Sequence, residues 1–127
     1  MKIFIVDDSF IMCARIMSLV SDTQDIALVG YAHSASEAIG EIAQSKPDAV
    51  ILDIRLTDGS GFKVLEHIKA HLQSTLVIIL TNYPYEQYKR RCSELGADFF
   101  LDKSHEFEQL IAIFSQKIPQ YSQQPNY

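Results

Sequence analysis

Four separated places in this chain carry residue types that together could act on a phosphoryl group. Asp7 and Asp8 are adjacent after a short apolar run, and Asp53, Thr81 and Lys103 stand at or just beyond the ends of three later runs. Three carboxylates packed together repel one another and need a cation. Oxygen-only ligands select a hard divalent ion, and an open site that also accepts phosphate oxygens suits Mg²⁺. A carboxylate beside such an ion can be a nucleophile toward phosphorus. The charge developing on the phosphoryl oxygens then calls for the metal and an ammonium, for which Lys103 is the candidate. A hydroxyl such as that of Thr81 can bond to a phosphate oxygen after transfer.

These residues meet only if the chain folds them to one edge, and its patterning predicts that. Strands are expected at Lys2–Val6, Ile26–Tyr31, Asp48–Asp53, Leu76–Leu80 and Phe99–Leu101. Between them lie amphipathic segments. The first carries Met12, Ile16, Leu19 and Val20 on one face. The second opens on Ser34-x-x-Glu37, a capping-box pattern, and carries Ala35, Ala38, Ile39 and Ile42. A turn-rich stretch, Thr57–Gly61, leads into a helix from Gly61 to about His71 with Val64, Leu65, Ile68 and Leu72 inward. Pro84 can open a helix with the stripe Tyr85, Tyr88, Cys92 and Leu95, which Gly96 ends. A last helix, from about Ser104 to Ile118, turns Phe107, Leu110, Ile111, Phe114 and Ile118 to the core.

Nearly continuous apolar strands alternating with helices indicate an α/β fold: a doubly wound, five-stranded parallel sheet with five helices covering both faces. In such sheets functional groups collect at the carboxyl ends of the strands. One domain is expected over residues 1–118, with a flexible tail over 119–127, where Pro119 and Pro125 flank a stretch without periodicity.

Composition narrows the function further. The formal net charge of -5 disfavours binding to nucleic-acid backbones. No stretch is long and apolar enough for a membrane span, and the two cysteines, Cys13 and Cys92, form no metal or disulfide pattern, so a cytoplasmic protein is expected. His67 and His71 have the spacing of two helical metal ligands but lack a third, and read as a solvated face. Lys89-Arg90-Arg91 reads likewise.

The motifs VDDS, LDIRLTDGSGF, LTNYP and GADFFLDKS fall in this order and spacing, and with them the chain resembles the response-regulator receiver family over residues 1 to about 118. The resemblance implies a phosphorylation-dependent switch of a two-component phosphorelay, the flavodoxin-like receiver fold, and Mg²⁺ as cofactor. Asp53 matches the phosphoacceptor. Asp8 matches the direct metal ligand, Asp7 a ligand acting chiefly through water, and Arg55 the residue whose backbone carbonyl faces the metal. Thr81 matches the switch hydroxyl, Lys103 the phosphate-pairing lysine and Phe100 the aromatic switch residue. Upstream, the implied partner is a histidine kinase or phosphotransfer protein. Downstream it is a protein target, since no effector domain follows; nucleic acid and membrane are not expected partners. Like other receivers, the chain would catalyse only its own phosphorylation and dephosphorylation. Thr57 stands where the family most often has proline, which predicts a looser loop after Asp53, and Asn82 where a smaller residue is usual.

Other readings fit less well. An aspartyl phosphatase needs a general acid two residues after its nucleophile, where this chain has Arg55. A nucleotide binder needs a phosphate loop after the first strand, where Asp7 and Asp8 repel phosphate. An interaction module that works without phosphorylation, or a phosphate shuttle in a multi-step relay, remains as an alternative within the family.

Overall fold

The computed structural model describes residues 1–122, and side chains through Lys117. Its elements are β1 (Lys2–Val6), α1 (Phe10–Ser21), β2 (Ala27–Ala32), α2 (Ala35–Ser45), β3 (Ala49–Leu52), β4 (Arg55–Leu56), β5 (Gly59–Ser60), α3 (Gly61–His71), β6 (Leu76–Thr81), α4 (Glu86–Glu94), β7 (Phe99–Asp102) and α5 (Gln109–Ser122). Five strands pair in the order β2-β1-β3-β6-β7, all parallel. The order reverses direction at β1, so that a crevice opens between the carboxyl ends of β1 and β3.

The central strands β1, β3 and β6 are covered on both faces, which is why they carry no polar alternation, whereas the edge strand β2 leaves Val29 and Tyr31 exposed. Ile3, Ile5, Ile51, Ile78 and Leu80 pack against Cys13, Ile16 and Val20 of α1 and Leu110, Ile113 and Phe114 of α5. Their neighbours Phe4, Val6, Val50, Leu52, Val77 and Ile79 pack against Ala38 and Ile42 of α2, Val64, Leu65 and Ile68 of α3, and Cys92 of α4. Serines start three helices: Ser9, Ser34 and Ser60 accept the amides of Met12, Glu37 and Phe62. At the far end of α4, Gly96 takes φ +97°, a conformation that favours glycine.

Several sequence expectations need correction. Tyr85 is not on the core stripe of α4. It precedes the helix in an extended conformation (φ -75°, ψ 143°) and is 52% exposed, because the helical period does not reach it. The last helix starts at Gln109, not Ser104, because local side chains satisfy the preceding backbone. Asp102 Oδ1 accepts the Ser104 amide at 2.9 Å, and Glu106 Oε1 accepts the Asp102 amide at 3.0 Å. Ile111 is 43% exposed, and Ile113 is buried in the core instead. α5 also runs on through Pro119 to Ser122, four residues past the expected end at Ile118. The remainder of the expected tail, residues 123–127, lies outside the described residues. The antiparallel hairpin β4–β5 was not expected at all.

Candidate functional site

The sheet's register brings the acids together. The Asp53 amide donates to the Val6 carbonyl at 2.9 Å, seating the end of β3 beside the end of β1. The Lys103 amide donates to the Thr81 carbonyl at 2.9 Å, which joins the ends of β6 and β7. From there the Lys103 side chain reaches across: its Nζ lies 2.6 Å from Asp7 Oδ2 and 2.9 Å from Asp53 Oδ2. All three groups are buried, whereas Asp8 is exposed at the rim. The remaining carboxylate oxygens are held by backbone, with Asp7 Oδ1 accepting the Ser9 amide at 2.8 Å and Asp53 Oδ1 the Ile54 amide at 2.7 Å.

Burial pushes the Asp53 carboxyl above 3.8, and its bonds to Lys103 offset only part of that. Burial pulls Lys103 the other way, but its pairing with Asp7 and Asp53 outweighs this and holds its ammonium above 10.5. One lysine therefore serves two buried acids. Carboxylate oxygens of Asp7, Asp8 and Asp53 lie within 4.8 Å of one another, the one grouping of this kind among the described residues. Three carboxylates against one ammonium leave an excess of two negative charges when all are ionised. An all-oxygen donor set with that excess fits a hard divalent cation such as Mg²⁺.

The family model for the response regulator receiver domain matches residues 3–115. The chain belongs to this family.

Its relatives agree. The sensory transduction protein LytT of Bacillus cereus is 28% identical over 111 residues, 87% of this receiver domain's chain and 44% of that protein. LytT of Enterococcus faecalis is 32% identical over 113 residues, 89% of this chain and 46% of that protein. The chain thus spans less than half the length of these curated relatives. The response regulator domain of Thermotoga maritima CheB superposes with a TM-score of 0.82 at 26% identity, over 94% of each chain.

The other sequence-derived residues sit around the receiver cluster. Thr81 is fully buried at the end of β6, and its hydroxyl accepts the Tyr83 amide at 3.1 Å. Phe100 is half-buried on β7 and, with Lys89, Cys92 and Ser93, lines a cavity of about 180 Å³ beside α4. Arg55 is exposed, with its guanidinium carbon 4.0 Å from the centre of the Tyr83 ring and its Nη2 donating to the Tyr88 hydroxyl at 3.5 Å. It therefore spans from the loop after Asp53 to α4. Gly61 is required where the hairpin returns, since a Cβ there would collide with the Asp53 carbonyl.

Sequence reasoning missed Asp58 and His33. Asp58 accepts the amides of Ala35 and Ser36, and the Thr57 hydroxyl donates to the His33 carbonyl at 3.3 Å. The loop expected to be loosened by Thr57 is thus tied down at two adjacent residues. No local pattern announces these contacts, which join segments more than twenty residues apart.

Proposed function

We propose that this receiver domain accepts a phosphoryl group on Asp53, with Mg²⁺ held by Asp7, Asp8, Asp53 and the backbone carbonyl of Arg55, and that another protein reads the phosphorylated form. The observation that supports this best is the buried Asp7–Lys103–Asp53 arrangement with Asp8 at its rim.

In the proposed transfer from a phosphohistidine, an Asp53 oxygen forms a bond to phosphorus as the P–N bond breaks. The electron pair returns to the imidazole nitrogen, and the ring, already protonated on its other nitrogen, leaves as neutral imidazole. From acetyl phosphate the P–O bond breaks instead and acetate leaves. Mg²⁺, when bound, supplies positive charge to the phosphoryl oxygens. Lys103 gives its ammonium to one of those oxygens. Thr81 uses an oxygen lone pair for the Tyr83 amide, so its own proton is free to donate to another.

That new bond to Thr81 is the signal. It draws the end of β6 toward Asp53 and favours one of two positions of Phe100, a shift between existing states. The donor is a histidine kinase or a phosphotransfer protein, and the output is contact with a protein target. The stripe Glu86, Lys89, Arg90 and Ser93 on α4, all exposed, forms the contact surface beside Phe100. Residues 1–118 carry the switching function, and the setting is the cytoplasm.

Incubation with acetyl phosphate, followed by mass spectrometry, tests the reading. Labelling at Asp53 that needs Mg²⁺ and vanishes in Asp53→Asn is expected. Full labelling of that variant, or labelling unaffected by chelator, would overturn it.

A further inference from the structure

The hairpin after Asp53 is too short to fix its own position. Strands β4 and β5 contribute two residues each and share only the pairs Arg55–Ser60 and Leu56–Gly59. Hairpins far longer than this are marginal on their own. Yet under the proposed function this segment must present the Arg55 carbonyl to the metal at a fixed place.

The segment is anchored from outside. Asp58, at the hairpin's turn, accepts the Ala35 amide on Oδ1 at 2.6 Å and the Ser36 amide on Oδ2 at 3.1 Å. Those are the first two residues of α2, whose amides have no partner within the helix. Ser34 already takes the next amide, that of Glu37, so the helix start has an acceptor for three successive amides, and two come from a remote carboxylate. The helix dipole favours an anion there, and the two amides hold the Asp58 carboxyl below 3.8.

Two further contacts close the arrangement into a ring. The Thr57 hydroxyl donates to the His33 carbonyl, and His33 Nδ1 lies 2.8 Å from the Asp7 carbonyl. A carbonyl only accepts, so Nδ1 carries the proton. Nε2 is buried without a partner, and the ring lies 4.1 Å from Phe10 and 5.4 Å from Tyr31, centre to centre. The ring of contacts therefore runs from Asp7 through His33 and Thr57–Asp58 into the hairpin, and back along the chain to Asp53.

We infer that Asp58 is a positioning residue for the metal-binding side of the phosphorylation site, clamping the β4–β5 hairpin to the start of α2. The inference rests on the proposed function. Asp58 need not touch metal or phosphate; it acts through the backbone of residues 55–58. A merely structural reading also exists, in which Asp58 only caps α2. The two readings differ in what happens to the metal site.

Calorimetric titration with Mg²⁺ separates them, using the wild type, Asp58→Ala, Asp58→Asn and Ser34→Ala. The last weakens the same helix start without touching the hairpin. Asp58→Ala is expected to raise the Kd for Mg²⁺ by about tenfold, the scale of lost outer-shell support, with Asp58→Asn in between because it keeps one acceptor oxygen. Ser34→Ala should lower the melting temperature and leave Kd at its wild-type value. Amide hydrogen exchange without metal should quicken at Ala35, Ser36 and Arg55–Ser60 in the Asp58 variants. Should Asp58→Ala not fold, Thr57→Val removes a single strut and should raise Kd by a smaller factor. Wild-type Kd in every variant of the hairpin overturns the inference, as does an equal rise in Ser34→Ala. A wild type that binds no Mg²⁺ would instead bring down the site reading itself, and this inference with it.

Discussion

At the acid cluster, both oxygens of Asp7 and both of Asp53 have a partner, and Lys103 bridges the two side chains from a buried position. On α4, only Cys92 of nine residues is buried, supported by half-buried Tyr88 and by Leu95 just beyond the helix. The cluster is held by charge in a place that water hardly reaches, where each contact is strong and losing one leaves another group stranded. The helix is held by a narrow apolar seam and by contacts at its surface, among them the bond from Arg55 to the Tyr88 hydroxyl. The proposed switch uses both: a rigid place to take the phosphoryl group and a nearby, lightly buried element to report it.

Removing the bridge should have the largest effect. Lys103→Met leaves two buried acids without their cation, and breaking such a pair costs about 3 kcal/mol. Denaturant unfolding at neutral pH without metal checks this. A loss under about 1 kcal/mol would mean that the cluster is solvated enough to do without its lysine.

A smaller effect should appear as a slope. The Asp53 carboxyl is raised above 3.8 by burial. Between 3.8 and that raised value the folded chain binds more protons than the unfolded one. The contribution of Asp53 to stability is therefore full below 3.8 and is lost as pH rises through the folded value. In chelator, the wild type should lose stability across this window relative to Asp53→Asn, which lacks the titration. Parallel stability curves would show that Lys103 compensates Asp53 completely.

The smallest effect on the fold should come from α4. Reversing Lys89 and Arg90 to glutamate should change unfolding free energy by no more than about 0.5 kcal/mol. It should leave acetyl phosphate labelling intact and weaken binding to an acidic target surface. Pull-down and labelling on the same double variant check both halves. Normal target binding would move the output surface off α4.

The five sheet strands were legible as apolar runs, most clearly the central ones, where burial on both faces leaves a strong signal: Ala49–Leu52 and Leu76–Leu80 are apolar throughout. The residues of the acid cluster were legible because each follows such a run. The expectations failed where side chains overrule periodicity. Asp102 and Glu106 delay α5, and Tyr85 stays extended before α4. The clamp at Asp58 was illegible for another reason. An aspartate in a turn looks the same whether it faces water or the amides of a helix more than twenty residues away.

The guanidinium of Arg55 above the Tyr83 ring has a consequence for how this molecule can be watched. The chain has no tryptophan and six tyrosines, so its near-ultraviolet spectrum belongs mainly to phenol rings. A ring facing a cation at 4.0 Å sits in a strong local field, and its electronic transitions differ from those of a ring in water. That contact joins the loop carrying Asp53 to the loop entering α4. Movement of either loop would change the field on the ring, so the near-ultraviolet signal of Tyr83 is expected to follow the state of the site with no label attached.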